Sequence, residues 1–253
     1  MGVSGIFTKT LDIALLHNRI DIAVHSLKDV PTQLAKGLTL AAVPERGNSR
    51  DILVYKNEIP TDEKIRIIAT SSLRRKAQWQ HQFPNHKFEN LRGNINTRVR
   101  KLVENDKWSG AIFAAAGVER IGLAVPAKID LDWMLPAPGQ GALGVACREN
   151  DKAIIEKIAP LNHKNTRLTT TAERQFLRTL MGGCSMPIAA FAEIRDGQLF
   201  FEGNVLSLDG KQKVEVKMVF EANNPDAGKI AAEKLLKEGG RAIVEMLQKS
   251  EIG

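Results

Sequence analysis

The chain has 253 residues, 43% hydrophobic and 26% charged, the balance of an ordinary soluble globular protein with room for one to three domains. Its apolar runs are broken by charge before they reach spanning length, and no basic segment followed by an apolar stretch opens it, so neither a transmembrane helix nor a secretory signal is expected. A net charge of +7 calls for anionic partners, but one tyrosine and 5% aromatics leave little for base stacking, which argues against nucleic acid and for a carboxylate or phosphate ligand.

In chain order, a helical pattern carries Leu11, Ile13, Ala14, Leu15 and Leu16, and Ile20 to His25 reads as a short buried strand. Leu38 to Val43 and Ile52 to Tyr55 read as further strands, separated by Pro44-Glu45-Arg46-Gly47-Asn48-Ser49-Arg50, which has the composition of a hinge or loop. From Ile65 the pattern becomes regular. Strand Ile65–Ala69 leads into a helix from about Leu73 to Gln82, strand Lys87–Leu91 into a helix from about Ile95 to Glu104, and strand Gly110–Ala114 into a helical segment near Val118. Such alternation predicts a parallel sheet covered on both faces. Gly141–Cys147 is a further strand, and charged helical sequence covers Asp151–Ile158 and Arg167–Leu180. Strands Ile188–Ile194, Leu199–Leu206 and Gln212–Phe220 then alternate around Asp196-Gly197 and Asp209-Gly210 turns, and a closing helix spans about Asp226 to Gln248.

Several clusters can carry chemistry. Thr70-Ser71-Ser72-Leu73-Arg74-Arg75 puts three hydroxyl residues and two arginines where a strand gives way to a helix. Backbone N–H groups and the helix dipole make an anion site there, whereas arginines at a positive helix end are mismatched until an anion joins them. A serine cap with two solvated arginines is the plain alternative. Leu91-Arg92-Gly93-Asn94 repeats the logic one strand later, with Arg98 one turn in. Four arginines at one sheet edge suit several carboxylates or phosphates, although a solvated basic face would look the same. His25-Ser26-Leu27-Lys28-Asp29-Val30-Pro31 offers a carboxylate beside a cation, or a simple turn before proline. Gln140, within Pro136-Ala137-Pro138-Gly139-Gln140-Gly141-Ala142, lies in a hydrogen-bonding crossover or a plain interdomain linker. In Gly182-Gly183-Cys184, two glycines strip Cβ bulk from beside the thiol, so Cys184 is either a small buried apolar residue or a thiol open to close approach. Cys147 and Cys184 make no disulfide framework and point to the cytosol. No Cys/His cluster has structural-zinc spacing, and no metal is expected.

Taken together and in order, these segments resemble the porphobilinogen deaminase (hydroxymethylbilane synthase) family along essentially the whole chain. The resemblance implies two periplasmic-binding-protein-like α/β domains and a C-terminal α+β domain. The first would hold residues 1–45 and 140–160, the second 46–139 and the third 161–253. It implies a transferase that polymerises four porphobilinogen units, with release of ammonia, on a dipyrromethane bound covalently to Cys184. Asp29 would be the catalytic carboxylate. Lys28, Thr70, Ser71, Ser72, Arg74, Arg75, Arg92 and Arg98 would bind the acetate and propionate groups, and Ala114 and Gln140 would line the cleft. A cytoplasmic monomer without nucleic-acid or membrane partners is expected. Family members also carry an N-terminal strand–helix–strand segment with an Ile-Ala-Thr-Arg-x-Ser-type motif, upstream of where this sequence starts, and Ser4 stands where a lysine is usual. The first domain is therefore expected to be incomplete at its N-terminus, with unpaired edges and exposed apolar surface. The alternatives are an inactive, shortened form of the enzyme and an anion-binding module of similar fold.

Overall fold

The computed structural model describes residues 6–61, 64–180 and 186–252. After α1 (Ile6–Leu16), β1 (Ala23–Ser26) and β2 (Leu38–Ala42) each pair antiparallel with β8 (Leu143–Arg148), giving a three-stranded sheet of order β1-β8-β2. Leu15 of α1 packs against Ala23, Leu38 and Ala146 on this sheet. Val145 and Cys147 instead meet Ile158 of α5 (Lys152–Ile158). The buried strand expected from Ile20 starts only at Ala23, and its burial alternates. Val24 is 54% exposed because an edge strand with one covered face turns every second side chain outward.

The second sheet contains β3 (Asp51–Tyr55), β4 (Ile67–Ala69), β5 (Lys87–Glu89), β6 (Gly110–Ala114) and β7 (Ala127–Asp130), in the order β5-β4-β6-β3-β7. Successive β3 residues serve opposite faces, as the pleat requires. Ile52 and Val54 join Val99 and Leu102 of α3 (Ile95–Glu104) and Val118 of α4 (Ala115–Arg120). Leu53 joins Ile68, Ile112 and Trp79 of α2 (Leu73–Gln82). Both faces are covered as expected, but the sheet is mixed rather than parallel. β4 pairs parallel with β5 and β6, while β3 runs antiparallel to β6 and β7. The chain enters β3 from the end where β6 finishes, so Asp51 lies opposite Ala114. The expected strands at Ile65 and Lys87 prove shorter than their apolar patterns, and β7 had no expectation at all.

A β-meander, β9 (Ile188–Arg195), β10 (Gln198–Leu206) and β11 (Lys213–Glu221), follows α6 (Lys164–Thr179). Phe176, Phe201, Val205 and Val216 share one core with α7 (Ala227–Leu235) and α8 (Arg241–Ile252). Asp196 and Gly197 both adopt positive φ (48° and 75°), the conformation a two-residue hairpin turn demands. The single closing helix expected from Asp226 to Gln248 is broken instead, because Gly239 takes φ 108° and ends the α7 segment.

Two stretches, residues 43–50 and 131–142, connect the first two sheets. They cross back to back, with the Gly47 N–H donating to the Gly141 carbonyl at 3.1 Å. Gly141 has φ +86°, and a Cβ there would lie 2.8 Å from the Gly47 carbonyl oxygen. Among the described residues no helix is long and apolar enough to cross a membrane.

Candidate active site

At the carboxyl edge of the five-stranded sheet, each hydroxyl of Thr70-Ser71-Ser72 secures backbone. Thr70 Oγ1 accepts from the Ser72 N–H at 3.2 Å, Ser71 Oγ from Leu91 at 2.9 Å, and Ser72 Oγ from Arg75 at 3.4 Å as the α2 cap. A hydroxyl that accepts still has its own proton to donate, so all three remain suited to a carboxylate ligand.

The two arginines are not solvated. Arg74 and Arg75 are 5% and 6% exposed, and the anion that relieves their mismatch with the helix end belongs to the chain itself. Asp51, fully buried at the head of β3, accepts from Arg75 Nη2 at 2.8 Å and Nε at 3.0 Å, while Arg74 Nη1 forms an ion pair with Oδ2 at 2.7 Å. Backbone carbonyls also accept from both guanidinium groups, Leu135 from Arg74 Nη1 and Ile112 from Arg75 Nη1, each at 2.8 Å. Burial alone would raise the Asp51 pKa, but the charges of Arg74 and Arg75 outweigh it and bring it down to about 2.

Gln140 joins this cluster to the loop after β1. Its Nε2 donates to Asp51 Oδ1 at 3.0 Å and to the Ser49 carbonyl at 2.8 Å, and its Oε1 accepts from Lys28 Nζ at 3.3 Å. Lys28 and Asp29 sit on a single 3-10 turn, Leu27–Asp29. The Lys28 ammonium is enclosed although the residue as a whole is only half-buried. That burial, aided by Arg75, lowers its pKa to about 8 against the opposing pull of Asp29 and Asp51, so it stays largely protonated at neutral pH. Asp29 is exposed, and its charge also acts on half-buried Arg98, whose Nε donates to the Gly93 carbonyl at 2.7 Å. Asp51 is locked into ion pairs, whereas Asp29, on the turn after β1, is exposed.

The other expected residues are placed less tightly. Ala114 ends β6 beside Asp51, half-buried. Arg92 is exposed, and its carbonyl accepts from Lys101 Nζ at 3.1 Å. Cys184 lies outside the described residues, between buried Leu180 and Met186.

Three further residues that no motif singled out hold the site together. Glu173 of α6, 0% exposed, accepts from Arg46 Nη1 at 2.6 Å and Nη2 at 3.2 Å, from the Gly139 N–H at 2.7 Å, and from the Ala192 N–H at 2.9 Å. Its neighbour Arg174 donates to the carbonyls of Leu27, Val30 and Pro31 at 3.3, 2.8 and 2.7 Å, clamping the turn that carries Asp29. Asp51 looks in the sequence like any acid before an apolar run, and Glu173 like one charge on a charged helix. Among the described residues, no group of three or more His, Cys, Asp or Glu side chains could hold a metal ion.

The sequence also matches known proteins. Residues 1–156 match the family model for the porphobilinogen deaminase dipyromethane cofactor binding domain, and residues 167–237 match that for the porphobilinogen deaminase C-terminal domain. A porphobilinogen deaminase from Desulforamulus reducens is 42% identical over 256 residues, covering 99% of this chain and 82% of that one. One from Nostoc sp. is 42% identical over 247 residues, covering 95% and 76%. Among solved structures, an ancestral cationic amino acid solute binding protein aligns over 61% of this chain and 67% of its own at 14% identity and a TM-score of 0.38. With both of its parts matched by family models and 99% of its length covered by a relative at 42% identity, the chain belongs to the porphobilinogen deaminase family.

Proposed function

We propose that the chain joins four porphobilinogen units into the linear tetrapyrrole hydroxymethylbilane with loss of ammonia, primed by a dipyrromethane held through a thioether to Cys184. The observation that carries this reading is one exposed carboxylate, Asp29, beside a cluster of Lys28, Arg74, Arg75 and Arg98. Each pyrrole brings an acetate and a propionate, and the donor set suits such groups. The Arg75 contacts use three of its five N–H groups, and the three hydroxyls keep their protons. The primer, when bound, supplies the terminal pyrrole carbon to which the chain is extended.

Asp29 accepts the pyrrole N–H hydrogen bond and balances the positive charge that develops as ammonia leaves the substrate and as the rings couple. Lys28, Arg74, Arg75 and Arg98, with Thr70, Ser71 and Ser72, hold carboxylates and so fix the ring over Asp29. Arg92, exposed at the rim, meets the carboxylates of the lengthening product, and Gln140 and Ala114 form the floor. A monomer in the cytoplasm completes the reading, the compartment supported by two cysteines that make no disulfide framework.

Intact mass of the purified protein tests the primer. Added mass matching dipyrromethane, absent in Cys184→Ser, is expected; unmodified protein after expression with ample porphobilinogen would overturn the reading. Asp29→Asn should keep the far-UV spectrum and nearly abolish turnover, and turnover close to that of the parent would remove Asp29 from its role.

A further inference from the structure

Asp51 gathers groups from three separate parts of the chain. Arg74 and Arg75 come from the start of α2, Gln140 from the crossing before β8, and Lys28, through Gln140, from the turn after β1. None of these is adjacent to it in sequence. The Arg75 guanidinium is held through all three of its nitrogens, by Asp51 and the Ile112 carbonyl, so its plane is fixed before any ligand arrives, and Arg74 is anchored through Nη1 to Asp51 and the Leu135 carbonyl. Three cations face this one buried anion, which leaves positive charge in excess.

We propose that Asp51 is the positioning residue of the anion site, aligning Arg74, Arg75 and Lys28 from beneath so that carboxylates of a pyrrole ligand meet them already oriented. The identity of that ligand rests on the function proposed above; the alignment itself does not. Asp51 also favours the charged form of Lys28. The ammonium is enclosed and faces Arg74 and Arg75, which disfavour its proton, with Asp29 and Asp51 opposing them. Deleting the Asp51 charge removes one of the groups that favour the charged form.

The test uses the primer-loaded protein with Asp51→Asn, which keeps size and loses charge. Lysine side-chain NMR titration should place the Lys28 pKa clearly below its value in the parent, about 8. Turnover of porphobilinogen should show kcat/KM lower on the order of 100-fold, the scale of misplaced binding groups, with its alkaline limb moved to lower pH by the same interval as Lys28. An Asp51→Asn protein that is merely less stable, with Lys28 titrating as in the parent and KM unchanged, overturns the proposal. Should Asp51→Asn fail to fold, Asp51→Glu carries the test, because it keeps the charge and displaces it by one methylene. A raised KM with Lys28 titrating near its parent value supports positioning, and an unchanged KM refutes it. If no form of the protein consumes porphobilinogen, the function falls, and the Lys28 titration still decides the role of Asp51.

Discussion

Glu173 offers the sharpest test of how the parts are held together. Its carboxylate is wholly buried, pairs with an Arg46 side chain only 11% exposed, and caps the N–H groups of Gly139 and Ala192. Truncation to alanine would leave Arg46 as an uncompensated buried charge, at a cost of about 3–5 kcal/mol. It would also orphan two buried amides at about 1–3 kcal/mol each, so the total rivals the whole stability of a typical domain. Glu173→Gln is the measurable change. It preserves shape and one acceptor oxygen but removes the charge, and should cost about 3 kcal/mol. Urea unfolding would be followed by far-UV circular dichroism for the whole chain and by tryptophan fluorescence, since Trp79, Trp108 and Trp133 all lie between β3 and β8. The carboxylate ties α6 and β9 to the crossing segments, so its loss should lower the midpoint and separate the two signals. Combining Glu173→Gln with Arg46→Met should show a coupling of roughly 1–3 kcal/mol. A loss below about 1 kcal/mol in Glu173→Gln, with coincident transitions, would refute this account of the junction.

Two further outcomes follow from burial and close packing. Gly228 sits where α7 crosses α6, and a Cβ there would collide with the Ala172 carbonyl oxygen. Gly228→Ala should therefore cost about 1–3 kcal/mol or more, read as a drop in the melting temperature, and a variant as stable as the parent would show that the helices part freely. The Asp51 pKa is depressed in the folded state to about 2, so its stabilising contribution is complete above the ordinary carboxylate range near 3.8 and is lost as pH falls to about 2. That window should remove about 2 kcal/mol from the parent and much less from Asp51→Asn, and equal acid slopes would show that the ion pairs do not stabilise the fold.

Much of the local structure was legible. Ser72 and Asn94 cap α2 and α3 as their position before each helical pattern implied, and the Asp-Gly pairs turn the meander. What escaped depends on distant partners. Ala127-Lys128-Ile129-Asp130 is too short and too polar to announce a strand, and becomes one only because β3 offers it an open edge. The break at Gly239 was hidden because the apolar spacing continues across it. The arginines were legible in number and place but not in burial. A guanidinium is normally solvated, and nothing within α2 reveals that Asp51, more than twenty residues upstream, will meet it.

The same limit explains why the site's chemistry was easier to read than its support. Groups that meet a ligand cluster in short motifs at strand ends, since the loops there must project several donors at once. Groups that hold those loops act from other elements and answer to no local pattern. Glu173 and Arg174 are consecutive on α6, so helical geometry turns their side chains about 100° apart, and one helix grips two targets. Glu173 takes the Arg46 and Gly139 crossing, and Arg174 takes the three carbonyls around Asp29. A rigid helix thereby fixes the turn that carries Asp29 relative to the crossing that carries Gln140. The turn with Asp29 and the cation cluster thus keep their spacing through the backbone contacts of α6 as well as through the Lys28–Gln140–Asp51 link, and none of these contacts engages the Asp29 carboxylate itself.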